Sequence, residues 1–82
     1  METIRNDKNI CIGANIRRIR KEKHIGQTEL VRMLQLYGID ITRESLVKIE
    51  RGIQHVKASQ LKAIKELLHT SYDELLKEKT EQ

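Results

Sequence analysis

The chain has 82 residues, enough for one small domain, with a single Cys, no Pro, Trp or Phe, and two Tyr. Its 16 Lys and Arg stand against 12 Asp and Glu, a formal charge of +4. This composition argues against a disulfide framework, a cysteine-rich zinc site, an aromatic platform for single-stranded nucleic acid, a membrane span, and a deep catalytic cleft beside a core.

The charge is unevenly spread. Residues 1–57 carry twelve Lys/Arg and seven Asp/Glu, whereas residues 58–82 carry four and five. A basic N-terminal two-thirds points to an anionic partner, nucleic acid first; the plainer reading is a solvated surface with chance asymmetry. Residues 1–8 are polar and without an apolar leader, so they read as a disordered arm of a cytoplasmic protein. Residues 9–77 read as the folded domain, and 78–82 as a frayed end.

Helical spacing recurs in five segments, which predicts an all-α fold with an aliphatic core. The first helix is expected over 9–23, with Ile12, Ile16 and Ile19 on one face and Arg17, Arg18, Lys21 and Glu22 on a solvated one. His24-Ile-Gly26 breaks it. The second starts at Gln27 and carries Leu30, Met33, Leu34 and Tyr37 inward, with Gly38 as its stop. After a connector containing Ile39 and Ile41, Thr42 is a good N-cap for a third helix over 43–51, which Gly52 ends. Leu46 and Ile49 face inward there, and Glu44 and Lys48 centre the outward face. A fourth helix is expected over 57–68, with Ala58, Leu61, Ile64 and Leu68 as its stripe. Ser71-Tyr-Asp-Glu74 is a capping box for a short fifth.

Two helices joined by a short connector, the second with a polar face, form a helix-turn-helix pattern. Here the chain resembles the lambda-repressor-like DNA-binding domains, also called Cro-type or XRE-family regulators. The resemblance covers 12–76. It is carried by Ile16-Arg-Arg-Ile-Arg-Lys-Glu-Lys23, Gln27-Thr-Glu-Leu30, Ser45-Leu-Val-Lys-Ile-Glu-Arg-Gly52 and Tyr72-Asp-Glu-Leu-Leu76. The stretch from Gln27 to Glu50 is longer than the commonest family pattern, the excess lying in 35–41.

The resemblance implies a compact five-helix bundle with the third helix in the major groove of double-stranded DNA. Arg43, Glu44, Ser45, Val47 and Lys48 fall at base-reading positions. Gln27, Thr28, Thr42, Arg51, His55 and Lys57 fall at phosphate-contacting ones. Arg20 and Glu50 match positions that the family joins in an ion pair, and Glu50, only about 40° from Leu46 on the helical wheel, needs a partner if it turns inward. Tyr72, Leu75 and Leu76 are either core cover or a dimer seam. The function implied is a transcription regulator, a repressor before an activator, bound as a homodimer to a palindromic operator. The alternative is an antitoxin-like or accessory module that binds a protein partner and uses DNA for autoregulation. No enzyme, cofactor or metal is expected: His24, His55, His69 and Cys11 match no ligand spacing, and there is no Gly-rich phosphate loop.

Overall fold

Where aliphatic residues recur every three or four positions, the chain coils and buries that stripe. A computed structural model describes residues 3–4 and 10–78. Five helices follow in order: α1 (Ile12–Glu22), α2 (Gln27–Leu36), α3 (Arg43–Glu50), α4 (Ala58–Leu67) and α5 (Tyr72–Leu75). Two short strands, β1 (Thr3–Ile4) and β2 (Val56–Lys57), pair antiparallel with Thr3 opposite Lys57 and Ile4 opposite Val56. Among the described residues the domain is thus mostly helical, with one small β-ladder.

The core is aliphatic. Ile12, Ile16 and Ile19 of α1 meet Leu30 and Leu34 of α2, Leu46 and Ile49 of α3, Leu61 and Ile64 of α4, and Leu75 of α5 in one cluster. α1 crosses α3 at Gly13. A Cβ built there would overlap the Ile49 carbonyl oxygen, so only glycine allows this approach. Asn15 holds α5 against α1 by donating from Nδ2 to the carbonyls of Leu75 (2.8 Å) and Lys77 (3.0 Å).

The helix boundaries have local causes. Thr42 caps α3, its Oγ1 accepting from the Ser45 N–H at 3.0 Å, and Ser71 caps α5, its Oγ accepting from the Glu74 N–H at 3.1 Å. The first four helices end in one motif. The N–H of Ile25, Ile39, Ile53 and Thr70 reaches back to the carbonyl of Arg20, Leu34, Lys48 and Lys65. The preceding residue in each case takes the left-handed conformation: His24 (φ 60°), Gly38 (102°), Gly52 (79°) and His69 (52°). These are Schellman ends, two built on glycine and two on histidine.

Four expectations are corrected. Tyr37, expected to face inward on α2, caps that helix after Leu36 and is 47% exposed. α1 begins at Ile12, three residues later than expected, with Cys11 as an N-cap that makes no side-chain bond. The arm expected to be disordered over 1–8 contains β1 at Thr3–Ile4, paired to β2 at the site expected to open the fourth helix; its other residues lie outside the described ones, as do 79–82 of the expected frayed end. Leu75 is fully buried, which removes it from any surface seam, while Tyr72 and Leu76 remain exposed. Among the described residues, no helix is long and apolar enough to cross a membrane.

Candidate nucleic-acid interface

The best-built polar feature lies where α1, α2 and α3 converge. Glu50, in the last turn of α3, is buried to 1% of its side-chain surface, and Arg20 of α1 to 7%. Arg20 donates from Nε to Glu50 Oε2 at 2.8 Å and from Nη2 to Oε1 at 2.9 Å, a bidentate pair. Its Nη1 donates to the Ile25 carbonyl at 2.8 Å, tying the pair to the end of α1. Gln27, the first residue of α2, donates from Nε2 to Glu50 Oε1 at 3.0 Å. Both carboxylate oxygens are therefore satisfied, as burial of a charge demands. One acid thus fixes α1, the start of α2 and the end of α3 relative to each other.

On that frame α3 divides by face. Leu46, Ile49 and Glu50 are buried; Arg43, Glu44, Lys48 and Arg51 are exposed; Ser45 and Val47 are half-buried between them. The exposed face carries a guanidinium, a carboxylate and an ammonium within two turns, a mixed donor and acceptor set of the kind that distinguishes base edges. Gln27 is half-buried, and its amide keeps a second N–H beyond the one given to Glu50. Thr28 is exposed beside it. α2 starts on Gly26 with no side-chain cap, so its first backbone N–H groups have no acceptor within the helix. Thr42 Oγ1 accepts from its own helix, leaving its O–H free to donate outward. His55 and Lys57, in the segment after α3, are exposed; the Lys57 N–H donates to Gln60 Oε1 at 2.9 Å at the start of α4.

The structure thus gathers Arg43, Glu44, Lys48 and Arg51 on one helix face and joins Gln27 to the end of that helix through Glu50. Beside them is an open cleft of about 410 Å³, lined by Ala14 and Arg17 of α1, Gln27 of α2, and Val47, Glu50 and Arg51. Arg17 is exposed, as its place on the solvated face of α1 predicts, and it also lines this cleft. Its spacing of three from Arg20 is the signal that would have put it on the α3 side of α1. Gly13 and Asn15 carry no such signal; they set how closely α1 approaches α3 and α5, respectively. Among the described residues, no group of three or more His, Cys, Asp or Glu gathers as a metal site.

A separate apolar patch lies on another edge. Met33, Leu36, Tyr37 and Leu67 line a shallow depression of about 310 Å³, and Leu36 is 83% exposed. Tyr37 donates its hydroxyl to Glu66 of α4, and Lys65 sits 5.3 Å over the ring centre of Tyr72.

Compared with the models of protein families, with curated proteins and with solved structures, the chain matches none.

Proposed function

We propose that this chain is a sequence-specific, double-stranded DNA-binding transcription regulator of the lambda-repressor-like helix-turn-helix kind, acting in the cytoplasm and without a catalytic step. The observation that carries the reading is α3, whose exposed Arg43, Glu44 and Lys48 stand opposite a core face locked to α1 and α2 by Glu50. A reading helix needs such a rigid mount, because base discrimination depends on holding side chains in register with the groove. In this reading Arg43 or Lys48 donates to guanine O6 and N7, Glu44 accepts from cytosine N4, and Ser45 and Val47 fill the contact. Gln27, Thr28, Thr42, Arg51, His55 and Lys57 hold phosphates and set orientation.

One such domain spans only a few base pairs. A homodimer on a palindromic operator, with half-sites about 34 Å apart, is the arrangement proposed, and repression by occupying that site is its simplest consequence. Selection of bound sites from random duplexes tests it. A palindromic consensus, with affinity falling steeply as salt rises, is expected; binding indifferent to both sequence and salt would overturn it.

A second reading is favoured by the apolar patch at Met33, Leu36, Tyr37 and Leu67. Exposed patches of this kind mark interaction sites. An antitoxin-like or accessory protein would use that edge for a protein partner and α3 for control of its own synthesis. Retention of a defined partner by the wild type and its loss in Leu36→Lys would favour this reading.

A further inference from the structure

The arginines of α1 differ in what they do. Arg18 faces Glu22 and Glu74, each at 3.4 Å, and Arg20 is spent on Glu50. Arg17 has no acidic partner among the described residues, and neither does Arg51 of α3. Both line the cleft between α1 and α3, which Gln27 also lines from the first position of α2. The acid in that cleft, Glu50, is already matched by Arg20 and capped by Gln27. The lining therefore holds two uncompensated positive charges, an amide with a spare N–H, and the uncapped start of a ten-residue helix.

We propose that this cleft is an oxyanion site for phosphate, held between Arg17 and Arg51, and that Arg17 is a phosphate-holding residue. Two guanidiniums on different walls suit a tetrahedral anion, whose oxygens point in several directions. A planar carboxylate is satisfied by one bidentate arginine, as Glu50 shows. The neighbouring α3 face makes a backbone phosphodiester the natural source, an assignment that rests on the DNA-binding reading; a free phosphate compound carries the same chemistry.

Two measurements separate these. In the first, the Nε–Hε signals of Arg17 and Arg51 are followed by NMR as inorganic phosphate replaces chloride at constant ionic strength. Saturable shifts of both, absent in Arg17→Ala/Arg51→Ala for the Gln27 amide, are expected. In the second, affinity for duplex DNA is measured against salt for the wild type, Arg17→Ala and Lys21→Ala, the last removing an equal charge from α1 outside the cleft. Arg17→Ala should weaken binding roughly tenfold at low salt and lower the log–log salt slope by about 0.9, with Lys21→Ala close to wild type. Phosphate shifts without duplex binding would keep the oxyanion site and remove DNA as its source. Duplex binding in which Arg17→Ala and Lys21→Ala behave alike, with no phosphate shifts, would overturn the site and leave the DNA-binding reading standing.

Discussion

Arg20 and Glu50, thirty residues apart, meet through two parallel N–H···O bonds in the buried crossing of α1 and α3. A pair so dry is destabilised most by losing one member, because the other charge is then buried alone. Arg20→Ala or Glu50→Ala should cost about 3–5 kcal/mol, a large share of the roughly 4–12 kcal/mol expected for a domain of this size. The double replacement Arg20→Met/Glu50→Leu should cost less than either single change. Urea unfolding of the three variants checks this; a double variant weaker than both singles would contradict it.

Gly13 tests the same crossing from the backbone side. Alanine is the better helix former by about 1 kcal/mol, yet at this position its Cβ would overlap the Ile49 carbonyl oxygen. Gly13→Ala should therefore destabilise by about 1–3 kcal/mol, as overpacking does. Gly26→Ala, with open space around its Cβ, is the control and should change little. Thermal unfolding of the two variants distinguishes them.

His24 and His69 hold a left-handed conformation that glycine adopts without steric cost. His24→Gly and His69→Gly should each stabilise the fold by about 0.5–1 kcal/mol, after allowing for glycine's greater freedom when unfolded. A fall in the denaturation midpoint for either variant would show that the imidazole does more than occupy the turn.

Tyr37 donates its hydroxyl to Glu66, which raises the phenol's pKa above the ordinary value of 10.0; the hydrogen bond is the largest cause, followed by desolvation and the Glu66 charge. A folded pKa above the unfolded one means the stabilisation is complete below about pH 10 and lost as pH rises through the folded pKa. Phenolate absorbance should show a late-titrating component from Tyr37. That component should vanish in Tyr37→Phe and move down in Glu66→Gln. Persistence of the late component in Tyr37→Phe would contradict this assignment.

If α3 reads DNA as proposed, Lys48 and Lys57 separate reading from positioning. Lys48→Ala should cost about 1–3 kcal/mol at one base pair and relax preference there, whereas Lys57→Ala should weaken all duplexes evenly and lower the salt slope by about one. Site selection on both variants provides the comparison. Two even losses would remove α3 as the reader.

Much of the helical framework was legible because its signals are local. Ile12, Ile16 and Ile19 repeat at helical spacing, Thr42 and Ser71 sit where a cap is needed, and Gly38 and Gly52 sit where a left-handed turn is needed. β1 and β2 were not legible: two-residue strands carry no periodicity, and Thr3 meets Lys57 across most of the chain. The reason for Gly13 was not legible either, because it lies on α3. Arg17 is solvated as the helical wheel implies, but a wheel does not show that the end of α3 arrives beside it. Leu75 became core rather than seam because Asn15 draws the end of α5 onto α1. In each case the missing information was the packing of elements distant in sequence.

The core has no aromatic side chain, and both tyrosines stand on the surface edge formed by α2, α4 and α5. The molecule is therefore optically divided. Its interior is dark, so tyrosine emission says little about core packing and a great deal about the edge where Tyr37 meets Glu66. A ligand on α3 would leave that emission nearly untouched, while one seated on Leu36 and Tyr37 would perturb it directly. The two proposed uses of the surface thus carry different spectroscopic addresses on the same small domain.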